Sequence, residues 1–182
     1  MREETSMHQW KLICELTDHD ALGSEGLCTA KPIEKARAIL RCTEDGKYAV
    51  IHERKTDLYM LPGGGIEDGE GAEAAIRREI FEETGCICAA MEPLGIIAEN
   101  RFHSAAARIS YFFAADTQTA KGTPHFTEHE RQLDTEIIWC SFDEMLRLIR
   151  EPVYDSPDKR FLQARDLAAL HAYSSISNKQ PD

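Results

Sequence analysis

Apolar and polar positions divide this chain into short strands and three helices. Residues 8–16 (HQWKLICEL) read as a strand, and a polar, Gly-containing stretch follows to about residue 32. Residues 36–42 and 48–53 read as strands on either side of Glu44-Asp45-Gly46, a hairpin signal. Tyr59 to Leu61 lead into a glycine turn. Residues 72–84 hold good helix formers and no proline, and Gly85 stands where a left-handed C-terminal cap is needed. Further on, 86–90 and 94–98 look extended, 109–115 (ISYFFAA) is a buried strand, and 136–141 (EIIWCS) is another. A helix over 142–150 stops at Pro152. A last amphipathic helix over 156–173 carries Phe161, Leu162, Leu167 and Leu170 on its apolar side. Strands around one central helix, with more helix at the end, indicate an α/β sandwich on a mixed sheet.

The helix at 72–84 is polar where it should be apolar. At about 100° per residue, Ala72, Ile76, Glu79 and Glu83 fall within roughly 60° of one another. Two carboxylates thus share the side of the apolar stripe, and Glu82 flanks them. Glu79 and Glu83 are a like-charge i,i+4 pair, which costs a few tenths of a kcal/mol. Glu82 and Glu83 also lie in the last turn, where the helix dipole disfavours anions by about 0.3–1 kcal/mol each. A bound divalent cation reverses each of these penalties, and all-oxygen ligation suits Mg²⁺, with Mn²⁺ as a substitute. A solvated acidic surface helix is the plain alternative.

Spacing decides against that alternative. Gly64, Glu70, Arg78, Glu79, Glu82, Glu83 and Gly85 stand in GGIEDGEGAEAAIRREIFEETGC, with five residues between Gly64 and Glu70 and seven between Glu70 and Arg78. Seven such identities coincide by chance about once in 10⁸–10⁹ placements. The run resembles the Nudix box, the signature of Mg²⁺-dependent hydrolases that cut a diphosphate linked to a nucleoside or another group. Cys86 departs from the family's usual Ile, Leu or Val, but cysteine also packs as a small hydrophobe.

The resemblance implies the Nudix fold, an α/β/α sandwich around a mixed β-sheet, over residues 31–174. It leaves 1–30 as an N-terminal extension and 175–182 as a polar tail. It also implies that the Gly63 carbonyl is a metal ligand beside Glu79 and Glu83. Glu82 is a candidate to hold the metal with them, and Arg78, able to pair i,i+4 with Glu82, is a candidate to orient the carboxylates. The base or a further ligand often comes from outside the box. Glu128 and Glu130, in the loop before the Trp139 strand, are the first candidates and would point the same way if extended. Glu82 and Glu99 are the others. Arg101 is a candidate to hold a phosphate, and Tyr59 and Phe102 are candidates to stack on a base. Marks of specialised subfamilies are missing: Arg101 stands near where some ADP-ribose hydrolases have proline, and Phe102 replaces the tyrosine of diadenosine polyphosphate hydrolases. By elimination, the expected substrate is a nucleoside di- or triphosphate, or a nucleoside diphosphate linked to another group. The alternatives are a catalytically silent Nudix-like domain that senses a nucleotide, and a structural protein whose acidic helix binds Ca²⁺.

Composition adds bounds. The 182 residues suit one domain with a real core. With 32 acidic against 21 basic residues the net charge is −11, which argues against non-specific nucleic-acid binding. No apolar run nears 18 residues and no signal-peptide core follows Met1, so a cytoplasmic protein with no membrane partner is expected. Six scattered cysteines without a CxxC read as reduced thiols. The expected partner is a small-molecule nucleotide or nucleoside diphosphate derivative, with a homodimer left open.

Overall fold

A computed structural model describes residues 10–118 and 121–177. Eight strands form one mixed sheet: β1 (Leu12–Thr17), β2 (Ile33–Arg41), β3 (Tyr48–Glu53), β4 (Leu58–Met60), β5 (Gly63–Gly65), β6 (Cys88–Arg101), β7 (Ala106–Thr117) and β8 (Thr135–Cys140). Five helices accompany them: α1 (Asp18–Leu22), α2 (Ala72–Thr84), α3 (Glu128–Gln132), α4 (Phe142–Arg150) and α5 (Pro157–Ser177). The main path runs β1-β6-β7-β2-β3-β4, with β5 paired to β2 and β8 to β3. The pairs β1–β6 and β2–β7 are parallel and the others antiparallel. The architecture is therefore the expected α/β/α sandwich on a mixed sheet.

Strand alternation sorts the core into two layers. Ala36, Ala38 and Leu40 of β2 and Tyr111 and Phe113 of β7 pack with Ala75, Ile76 and Ile80 of α2. Residues one step out of phase, Ile39, Ile97 and Phe112, pack on the other side with Met145 and Ile149 of α4 and Phe161, Ala169 and Leu170 of α5. Helix α2 spans the predicted residues, and Gly85, in the left-handed region at φ 67°, closes it by donating to Phe81 O. Helix α4 also has its predicted bounds, with Ser141 capping its start by accepting from Glu144 N at 3.2 Å.

Several expectations need correcting. The strands around Glu44-Asp45-Gly46 pair only at Arg41↔Tyr48 and then splay apart. Beyond that point β2 turns its edge to β5, and β3 takes β4 and β8. Turn chemistry is local; which neighbour wins the rest of the edge is not. The two extended pieces at 86–90 and 94–98 are one strand, β6, whose register with β7 shifts between Cys88 and Met91 and again between Pro93 and Gly95. Two irregularities dilute the alternation that would have joined them. The last helix runs on to Ser177 rather than stopping at Tyr173, and the tail beyond it lies outside the described residues.

The N-terminal stretch is built into the sheet. Strand β1 lies parallel to β6, with Leu16 opposite Glu99, and α1 packs on α5. Residues 8 and 9 of the expected strand lie outside the described residues. Among the described residues no helix is long and apolar enough to cross a membrane.

Candidate active site

The site is assembled where β5 meets α2. Gly63, Gly64 and Gly65 pair with Arg37, Ala36 and Lys35 of β2. A side chain on Gly63 would meet Ala36 O at 2.1 Å, and one on Gly64 would meet Glu79 Oε1 at 2.3 Å. The glycines are therefore what allow the α2 carboxylates to lie against backbone. Glu83 is buried, and its Oε2 accepts a hydrogen bond from Gly63 N at 2.8 Å.

Arg78 organises the rest. Its Nε and Nη2 donate to both oxygens of Glu70 at 3.1 and 3.0 Å, and Nη2 also donates to Gly65 O at 2.9 Å. Its Nη1 donates to Glu79 at 2.8 Å and Glu82 at 3.2 Å. One guanidinium thus joins the glycine strand, Glu70 and two α2 carboxylates.

Electrostatics leaves the cluster short of positive charge. Burial pushes the Glu83 carboxyl well above the usual carboxylate range, with Arg37 opposing and Glu79 adding to the rise. Burial also raises Glu79, against the pull of Arg78. Glu82 is the most open of the three, its side chain 39% exposed against 12% for Glu79. Among the described residues no three His, Cys, Asp or Glu side chains stand close enough together to hold an ion as they are now turned. In this arrangement one Glu83 oxygen serves Gly63, and Glu79 and Glu82 share Arg78.

The two loop acids separate. Residues 128–132 form helix α3, so Glu128 and Glu130 do not point the same way as they would on a strand. Glu128 faces solvent and pairs with Arg131 at 3.0 Å. Glu130 closes a capping box with Thr127 and is near enough to Glu83 to raise its pKa. The segment leading into α3 is docked on the box helix. His125 N donates to Glu82 O at 2.6 Å, and Gly122 sits against Gly85 so closely that a side chain there would meet Gly85 O at 2.1 Å. Nothing in the local pattern marks Gly122; only the contact gives it meaning.

The expected substrate-binding residues are engaged within the protein. Arg101 is fully buried, and its two terminal nitrogens are each engaged at 2.6 Å, one by Glu99 and one by Asp158. It serves as a buried ion-pair centre with no free fork for a phosphate. Tyr59 stacks on His52 with centroids 4.0 Å apart. Phe102 is half exposed, but its ring lies directly on Gly26, which takes one stacking face. Buried Asp18 holds that turn by accepting from Phe102 N at 2.9 Å and His103 N at 2.8 Å. Lys35 and Arg37 lie beside the glycines on β2, and in Lys35-Ala36-Arg37-Ala38 the charges take every second place on a strand whose other face is buried alanine.

Comparison with known proteins agrees with this geometry. The NUDIX domain family matches residues 32–164. A putative 8-oxo-dGTP diphosphatase of Bacillus subtilis (strain 168) is 33% identical over 64 residues, which is 35% of this chain and 43% of that protein. The match therefore spans less than half the length of that relative. The solution structure of the E. coli ORF135 protein is similar with a TM-score of 0.58 at 22% identity, covering 84% of this chain and 96% of that one. A UDP-X diphosphatase crystal structure is similar with a TM-score of 0.54 at 17% identity, covering 85% of this chain and 68% of that one. With the box, the sandwich and the family match over most of its length, the chain belongs to the Nudix family.

Proposed function

We propose that this protein is a divalent-cation-dependent pyrophosphohydrolase, cutting the phosphoanhydride bond of a nucleoside di- or triphosphate or of a nucleoside diphosphate linked to another group. The observation that carries this reading is the pair Glu79 and Glu83, packed beneath Gly63 and Gly64 and raised in pKa by their own burial. Buried carboxylates so close together fit a hard cation, which all-oxygen donors favour. Glu79, Glu82 and Glu83 would hold Mg²⁺, or Mn²⁺ in its place, with the Gly63 carbonyl as a further ligand. Bound there, the cation supplies positive charge against phosphate oxygens and makes water more acidic. The similarity to an 8-oxo-dGTP diphosphatase and a UDP-X diphosphatase is in keeping with a nucleotide substrate.

The chain's own residues do the rest. Arg78 keeps Glu79 and Glu82 in place through its contacts with Glu70 and Gly65. A water attacks phosphorus, its proton passes to a carboxylate, and the bridging oxygen leaves with the second phosphate. Glu130 is the favoured acceptor, because it comes from a different element and acts on Glu83 electrostatically. Glu128, turned to solvent, is a bystander in this reading.

Two measurements test the proposal. Nucleotides incubated with the protein and Mg²⁺ should release a phosphate-bearing product; binding without release would instead favour a sensor. Mg²⁺ at 100 times its Kd should stabilise the fold by about 2.7 kcal/mol. Equal stabilisation by NaCl at matched ionic strength would reduce the cluster to a screened surface.

The loop acids give a sharper contrast. Glutamine at the N3 place of a capping box still serves the cap. Glu130→Gln should therefore keep the melting temperature while turnover falls about tenfold or more with KM little changed, as for an interaction made mainly in the transition state. Glu128→Gln should behave as wild type. A Glu130→Gln protein with normal turnover would return the role of base to Glu82.

A further inference from the structure

The sheet face covered by α5 changes character along its strands. At one end it carries Ile39 of β2, Phe112 of β7 and Ile97 of β6, all core residues. Two-residue steps along the same face lead to Arg37 and Lys35 on β2, Ser110 and Arg108 on β7, and Glu99 and Arg101 on β6. Helix α5 adds buried Arg165 and Asp166, and Asp158 near its start. Five cations thus meet three carboxylates, a local excess of two positive charges in a chain whose net charge is −11.

Arg101 and Arg165 have carboxylate partners on this face. Lys35, Arg37 and Arg108 do not: among the described residues none of them has a carboxylate within 4.0 Å. Burial, then the neighbouring arginines, pull all three towards deprotonation, and Arg37 is brought down to about 10. Among the described residues, Arg37 Nε, Arg101 Nε, Arg165 Nη2 and Ser110 Oγ on this face are buried with no hydrogen-bond partner, as is the acceptor Glu99 Oε2. Such unmet donors are costly in a native core and ask for an explanation.

Position supplies one. Arg37 and Lys35 pair across the strand with Gly63 and Gly65, so the basic face begins where the carboxylate cluster ends. Glu83 is felt by Arg37, and Glu79 by Lys35. Lys35 and Arg108 are half-buried at the rim, with Arg37 and Arg165 behind them. Guanidinium forks suit oxyanions, and the lysine adds a point charge.

We infer that this face is an oxyanion subsite, in which Lys35, Arg37, Arg108 and Arg165 take a phosphate group of the substrate beyond the bond that is cut. The substrate class is thereby narrowed to nucleotides that carry a further phosphate on the far side of the reacting diphosphate. The inference rests on the phosphohydrolase reading for the word substrate, but the anion site itself does not.

The test uses the full chain in EDTA, with inorganic phosphate as the probe against chloride at matched ionic strength. The melting temperature should rise saturably with phosphate. Arg108→Gln, at the rim, should weaken phosphate binding at least tenfold, whereas Glu83→Gln, which removes a negative charge that Arg37 feels, should not weaken it. Lys35→Gln serves as a second variant if Arg108→Gln does not fold. No saturable phosphate effect, or wild-type binding in the rim variant, would overturn the subsite. EDTA removes divalent cations, so a failure here is distinct from a failure to hydrolyse nucleotides with Mg²⁺. In a turnover assay phosphate should compete with the nucleotide, with its inhibition constant raised at least tenfold in Arg108→Gln. Non-competitive inhibition would mark a separate effector site and also overturn the proposal.

Discussion

Glu83→Gln is expected to lower kcat by on the order of 100-fold or more with the fold intact, equivalent to about 2.7 kcal/mol of lost transition-state stabilisation. The amide oxygen can still accept from Gly63 N, so the contact that seats α2 beneath the glycines survives. What disappears is a buried negative charge beside Glu79. Without divalent cations the variant should therefore be at least as stable as wild type. The pH dependence follows by linkage. A folded-state pKa raised above the unfolded value of 4.5 means that the native state binds more protons. That stabilising contribution is complete below about pH 4.5 and is lost as pH rises through the higher folded value. Cation-free wild type should lose stability across that window, and Glu83→Gln should lose less. Near-normal turnover at saturating Mg²⁺ would remove Glu83 from the site, whatever the melting curves show.

Gly63→Ala should damage the fold far more than the same change at Gly71. Gly63 has φ 134°, a conformation that L side chains rarely adopt, and a Cβ there would meet Ala36 O at 2.1 Å and Arg37 Cα at 2.8 Å. Both obstacles are backbone in a central strand and cannot rotate away. Backbone strain of about 1–3 kcal/mol and overpacking of a similar size give about 2–6 kcal/mol together, against a total stability of about 5–15 kcal/mol. The same shift would move Gly63 N away from Glu83, so activity should fall along with stability. Gly71→Ala is the control: it sits at the start of α2 at φ −91° with nothing within 4 Å, and should cost at most about 1 kcal/mol. Chemical denaturation of the two variants checks the contrast. Equal small losses would mean that the β2–β5 edge yields more easily than its geometry indicates.

Local chemistry was enough to read α2 and α4 to the residue, because caps, helix formers and breakers act within a few positions. The acidic face of α2 was legible for the same reason: helical geometry places Glu79 and Glu83 together whatever surrounds them. Tertiary structure decided the features that depend on which distant segments meet. The strands around Glu44-Asp45-Gly46 part because β5 claims the edge of β2, which no turn rule contains. Glu128 and Glu130 are distinguished by a capping box and by the docking of Gly122 and His125 on the end of α2. Arg101 has the charge for a phosphate, yet Glu99 and Asp158 neutralise it from a neighbouring strand position and a remote helix. The alternation of Lys35 and Arg37 is visible in the sequence, but only β7 and α5 bring Arg108 and Arg165 to the same face. Charge is written in the sequence; whether a charge is spent on a partner or left for a ligand is settled by residues dozens of positions away.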